Sequence, residues 1–592
     1  MKTFAGILLT LLFCAVLSFA NEGQHHEELT QEQLGTVHFP VSCSALSQKP
    51  FERGVALLHS FWYEQAEATF EKIAKDDPRC AMAHWGIAMS LWHQLWNHPD
   101  EATIKRGLTE AKMANAFHPA TDRERDYIAA INDFNSGSSN RKYQARATSY
   151  SKAMQKVYQR NPDDHEAAAF YALSLLASEP EHDTGEKNRR KAAAVLEKVF
   201  AVEPNHPGVI HYLIHTYDTT DMAALGLPAA RRYAQIAPAA PHALHMPSHI
   251  FARLGLWQDD INSNLASIAA SRKYAEMGGE GHEFHAMDFL FYAYMQSGRE
   301  ADAHRLMEEV KAMPPMKDMY GMGYDPRISA LVAFEAMYPL ELHHWQEAAE
   351  LPLVPGASPE DDSITHWARA IGLAHVAKAE DAQKEVKEIE TIHKKLSEDK
   401  KSKSALDAVD QNRKEAEPWA EYAKGKSADA ISLLRSVEET GVFEASAQLP
   451  ARGMLADLLL AMNRPAEALA EYETDLKTNP NRFNSLYGAA RAAERAGNKE
   501  KASGYYAQLV KNCDGSVSMR PELSEAKEWL AAQQNVSAKM KRSNGIAVGV
   551  ELQSGVMNIP LCKRCSAPRS SPTQIQHRVL AGELVAVPSS EL

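Results

Sequence analysis

From Phe51 to Met89 the chain reads FERGVALLHSFWYEQAEATFEKIAKDDPRCAMAHWGIAM, with small residues Gly54 and Ala66 ahead of a large Phe70, and Pro78 closing the stretch. That order predicts a helical hairpin. Small residues let two antiparallel helices approach, the aromatic ring fills the gap to the next pair, and proline ends the second helix. The same set returns along the chain: Ala468 and Tyr472 are each repeated 34 residues later by Ala502 and Tyr506, with Pro480 between them. Gly298, Ala303, Met307 and Pro315 give a further copy, and Gly425, Ala430 and Leu434 a reduced one.

The whole chain agrees with a helical reading. Of its 592 residues 45% are hydrophobic, while glycine (30) and proline (29) are sparse enough for long helices with a buried core. A net charge of -13 counts against nucleic acid as a partner. Lys2, the apolar run Phe4–Leu17 and the small residues Ser18 and Ala20 give residues 1–20 the form of an export signal, too short for a membrane anchor. The mature protein is expected in the periplasm or outside the cell, with no stable membrane insertion. Export makes cysteine pairing the default, and Cys43 and Cys80 flank the first hairpin. Cys562 and Cys565 form a lone C-x2-C with no second pair, which argues against a zinc ribbon.

Seven histidines stand at one-turn spacings in the middle of the chain: His211 and His215, then His242, His245 and His249, then His282 and His285. Residues three or four apart share a helix face. His211 to His245 and His215 to His249 are both 34 residues, the spacing of the hairpins themselves. Stacked hairpins would therefore bring imidazoles from successive helices together.

These features resemble the tetratricopeptide repeat family, whose 34-residue period carries the same skeleton of small, aromatic and proline positions. The chain more narrowly resembles exported bacterial members with a His-rich centre, on Phe51–Met89, on HALHMPSHIFARLGLW from His242 to Trp257, and on PNRFNSLYGAARAAERAG from Pro480 to Gly497. The resemblance implies an all-α, TPR-type α-solenoid of antiparallel helix hairpins. Expected boundaries are a signal at 1–20, an N-terminal extension at 21–46, a solenoid at 47–535 with its His-rich centre at 207–290, and an irregular tail at 536–592. It also implies that the first helix of each hairpin lines a concave groove. Counted from Pro207, Pro241 and Phe284, His211, His215, His242, His245, His249 and His285 take groove-facing places, with Asp218, Asp288 and Tyr292, while His282 falls just before its helix.

The candidate metal ligands are thus His211, His215, His242, His245, His249, His282 and His285, with Asp218 and Asp288 to complete or orient the shell. Neutral imidazole suits zinc, copper, nickel or iron, and zinc or copper is the expected ion. Met313, Met316, Met319 and Met322 recur in a following loop; thioethers favour copper, though methionine commonly fills packing gaps. His59 and His93, with Trp62, Trp85, Trp92 and Trp96, read as core between repeats. The charged run Lys384–Glu417 reads as a solvated helix or linker.

No catalytic motif is present: neither a nucleophile elbow, a phosphate-binding loop nor a zinc-protease helix. The leading expectation is an exported scaffold that holds a protein or peptide in a His-lined groove, with or without a metal ion. The alternatives are a metal-handling envelope protein, or a metal-dependent hydrolase using Glu283, Asp218 or Asp288 as base. An open groove would favour the scaffold; histidines converging within coordination distance would favour the other two.

Overall fold

The computed structural model describes residues 29–95, 98–180, 186–275, 281–316, 325–399, 401–437 and 449–550, with the backbone alone at 281–282 and 536–550. Among them every regular element is a helix. Neighbours in sequence are neighbours in space: Gln48–His59 packs on Tyr63–Asp76, which packs on Ala81–Ser90, and this order continues to Lys499–Asn512. The fold is an all-α solenoid. The chain divides into two compact units, Met1–Leu530 and Ala531–Leu592, and the histidine-bearing hairpins belong to the first.

Gly54, Ala66 and Phe70 meet as the spacing requires. A Cβ on Gly54 would lie 2.6 Å from the Phe70 ring, and Ala66 and Phe70 are fully buried. One turn recurs at the tip of the hairpins. Phe61, Gly255, Gly298, His343, Ala377, Gly425, Asn463 and Gly497 each take a left-handed conformation two residues before the next helix. The amide that follows each of them bonds back five residues, as Trp62 does to Leu57 and Leu256 to Phe251. This closes the orphan carbonyls of the first helix. Most of these places hold small residues or asparagine. Phe61, at φ 53°, is a bulky exception.

Cys43 and Cys80 form a disulfide with Cα atoms 4.8 Å apart, which ties the N-terminal extension to the end of the first hairpin. Val37 and Phe39 of that extension are buried, and the Ala239 amide donates to Gln33, so the segment is part of the core.

Three expectations are corrected. Of the two readings of the charged run, helix holds and linker does not, and the helices are packed rather than merely solvated: Ala379–Glu398 and Lys403–Ala423 pack on each other and on Pro359–His375 and bury Val386, Ile389, Leu396, Val409 and Trp419. Most of the run's charges lie on the outer faces, but Glu415 is buried. The last helix runs Pro521–Val550, past the expected boundary. His282 lies inside a helix, Gly281–Gln296, rather than before it. Residues 1–28 and 551–592, with the expected signal, Cys562 and Cys565, lie outside the described residues, as do Trp96, Met319 and Met322.

The array also folds back on itself. Gln48–His59 touches Pro207–Tyr217, and Gly281–Gln296 touches Phe483–Arg495. The Trp257 indole donates to the Asn481 carbonyl at 3.0 Å, and the buried Arg482 guanidinium pairs with Glu341 at 2.6 Å. The central helices are therefore covered on more than one side.

Candidate metal centre

Pro207–Tyr217 begins at His206, whose Nδ1 accepts from the Val209 amide, with Pro207 at the first helical position. One turn and two turns on, His211 and His215 share a face. The next histidines straddle two short helices, Pro241–His245 and Pro247–Arg253. Pro247 has no N–H to continue the ladder, yet Met246 keeps helical angles, so His242, His245 and His249 remain on one side. His285 comes from Gly281–Gln296.

Six of the seven histidines converge. One ring nitrogen each from His211, His215 and His242 lie within 4.8 Å of one another, and so do one each from His245, His249 and His285. His211 and His245 are 0% and 1% exposed, whereas His285 is exposed. The side chain of His282 lies outside the described residues. Asp288 is half-buried and belongs to neither group. Asp218 orients rather than joins: its carboxylate accepts from His249 Nδ1 at 2.9 Å and from Arg253 Nε. Burial opposes its charge, but Arg253 and His249 beside it hold the Asp218 carboxyl well below the usual range.

On three of these rings, His211, His245 and His249, the second nitrogen has a partner. His211 Nδ1 donates to the His59 carbonyl at 2.5 Å, and His245 Nδ1 to Asn264 Oδ1 at 2.7 Å. The Asn264 amide is fixed in that sense because its Nδ2 donates to the Asp260 carbonyl, which can only accept. His245 and His249 therefore both carry their hydrogen on Nδ1, and their Nε2 atoms face each other at 3.0 Å. Two bare nitrogens at that distance repel unless a proton or a metal ion lies between them. Two nitrogens on one tetrahedral zinc at 2.0–2.1 Å stand about 3.3 Å apart. The Nε2 atoms of His211 and His215 are also 3.0 Å apart. Burial, with His211 and His249 nearby, keeps the His215 imidazole well below its ordinary pKa, hence neutral and able to ligate.

Two aromatic rings outside the expected set cap the site. Phe61 stacks on His215 and His242 at 5.5 Å and lies 4.4 Å from His211, held there by its left-handed backbone. Phe289 sits 5.0 Å from His245 and 4.5 Å from His249. Phe289 follows His285 by one turn, a signal the sequence did carry. Phe61 belongs to a different hairpin and had no such signal.

Behind the first group lies a closed network. Glu166 bonds His59 Nε2 at 2.7 Å and His206 Nε2 at 3.0 Å, and His59 Nδ1 meets the Tyr212 hydroxyl at 2.9 Å. Burial disfavours the Glu166 charge, yet the two histidines hold its carboxyl well below the usual range. Burial lowers His59, while Glu166 outweighs burial at His206 and raises it. His59 was expected to be mere core; it is core that fixes the acceptor for His211. Cys43, Asp77 and Cys80 also lie close together, but the disulfide uses both sulfurs. Met313 and Met316 pack against the second hydrophobic cluster as gap fillers. Trp62, Trp85 and Trp92 are buried in the first, as expected.

Two of the three carboxylates expected as a hydrolytic base are engaged, and the third, Asp288, is half-buried one turn after His285. Glu283 is buried and paired with Arg272, and Asp218 is held by His249 and Arg253. Away from the histidines, a cavity of about 150 Å³ is lined by Trp345, His375, Trp419, Asp457 and Arg482, none of which any sequence motif marks.

A family model agrees with the architecture. The tetratricopeptide repeat family matches residues 62–102 and 454–517, so repeats of that kind stand towards both ends of the array. No curated protein matches the chain. Solved structures with similar arrays include a human IFIT1 dimer with m7Gppp-AAAA (13% identity, 77% of this chain and 95% of that one, TM-score 0.31). The P58(IPK) TPR domain gives 13% identity, 63% and 99% coverage and a TM-score of 0.19. Naa15/Naa10 bound to HypK-THB gives 10%, 83% and 92%, and 0.22. Likeness of that degree says nothing of ligands. Among the described residues no helix is long and apolar enough to cross a membrane.

Proposed function

We propose that this protein is an exported helical repeat scaffold whose central hairpins bind transition-metal ions through two three-histidine groups. The observation that carries the reading is the facing Nε2 pair of His245 and His249, each ring holding its hydrogen on the far side against a fixed acceptor. Histidine ligands are oriented in this way, by a carbonyl, amide or carboxylate on the second nitrogen. Three imidazoles with an open fourth position suit zinc or copper. The convergence favours metal binding over a peptide held by the histidines themselves, and the repeats on either side remain available to a protein partner. The Cys43–Cys80 disulfide supports an oxidising compartment.

Elemental analysis of protein purified without a nickel column tests the reading. Up to two equivalents of zinc or copper per chain are expected, with loss of one on substituting His245→Ala together with His249→Ala. A metal-free protein that takes up neither ion on dialysis would leave only the peptide-binding scaffold.

A further inference from the structure

The two histidine groups are not separate sites. His215 and His249 rings are 6.5 Å apart and His242 and His245 rings 6.2 Å apart, against 6.0 Å for His215 and His242 inside the first group. The gap between groups is scarcely wider than the groups. Ions held in both would be near neighbours, within reach of one small bridging molecule.

Charge then decides which ions. All six donors are imidazoles, which ligate through a neutral nitrogen; of the carboxylates close by, Asp218 pairs with Arg253 and Glu283 with Arg272, and Asp288 belongs to neither three-histidine group. Paired zinc, iron or manganese ions bring about +4 and are ordinarily offset by ligating carboxylates, which this donor set lacks. Leaving that charge uncompensated is costly, since three of the six rings are fully buried. Two monovalent ions bring half as much, and copper is the imidazole-binding metal with a stable monovalent state. Phe61 and Phe289 close each group with apolar faces, which admit a neutral diatomic molecule and offer no competing polar group.

Resting on the metal-binding reading, we infer that the paired groups form one dicopper centre that binds dioxygen between its ions. Each Cu(I) gives one electron and becomes Cu(II). The dioxygen double bond becomes a single bond, and the resulting dianion is shared by both ions. The net charge of the centre is +2 before and after, so no proton or counter-ion has to enter.

The test uses the full chain, loaded without air with two equivalents of Cu(I) and then exposed to dioxygen. Uptake of one dioxygen per two coppers is expected, with an intense near-ultraviolet band and no Cu(II) paramagnetic resonance signal, because spins coupled through the bridge cancel. The substitution His285→Gln, at an exposed position that spares the fold, should abolish the band while circular dichroism is unchanged. An unaltered band in that variant overturns the inference. So does copper that binds but ignores dioxygen, or that oxidises to two independent paramagnetic ions, and so does a chain that takes zinc but no copper; in each of these the metal-binding reading survives. Failure to hold either metal sinks both.

Discussion

Gly208 shows how much of the site rests on an absent atom. A Cβ there would lie 2.3 Å from His59 Nδ1, inside the ring that fixes the acceptor of His211. The substitution Gly208→Ala should destabilise the protein by about 1–3 kcal/mol in chemical denaturation, since neither partner has room to yield. Asp218 matters differently. Asp218→Asn would weaken the hold on the His249 ring and leave Arg253 without its counter-charge, so metal affinity measured by chelator competition should fall roughly 10- to 100-fold. An affinity unchanged within twofold would show that His249 does not ligate. The candidate ligand histidines were legible because their spacing matches a helical turn and the hairpin repeat. Glu166, 107 residues from His59, was not, because no local pattern reports a contact made through the core.

Helices in the second half carry their own titration. Glu415 lies buried in Lys403–Ala423 beside Trp367, with Gln411 donating to one oxygen at 2.8 Å, and burial pushes its carboxyl up to about 8. Between the ordinary value of 4.5 and about 8 the folded chain holds a proton that the unfolded chain has released. Stability from this group is thus full below 4.5 and is lost as pH rises to 8. Glu415→Gln should remove that slope, gaining on the order of 1 kcal/mol or more over the parent at pH 8.5 relative to pH 5, read from denaturant midpoints. Equal slopes in both proteins would rule out a buried acid. The charged sequence around this helix invited the solvated reading because lysine and glutamate dominate its count. Its apolar residues, Val386, Ile389, Leu396 and Val409, fall at helical spacing and carry the packing.

Across the molecule, buried imidazoles set the response to acid. Burial holds His93 at about 4, and burial with His343 nearby holds His375 at about 3. Below the ordinary 6.5 the unfolded chain takes up protons that the folded one refuses, so stability present above 6.5 is lost as pH falls towards 3–4. Calorimetry should show the melting temperature falling steadily from pH 7 to pH 4, a loss of several kcal/mol; a flat profile would contradict the burial of both rings. The hairpin architecture was legible from Phe51–Met89 and its echoes, since each repeat speaks of its own neighbour. Contacts that bring distant hairpins together, as at Arg482 and Glu341, obey no period and became visible only in three dimensions.

The bond from Trp257 to Asn481 closes a loop of 224 residues. Loop-closure entropy rises with length, and contacts this distant form after local hairpins have folded. During synthesis every histidine of the centre leaves the ribosome well before Asn481 does. The His-bearing hairpins can thus take shape early, while their outer brace is fastened last, so the ion binding proposed above would come late in the maturation of the chain.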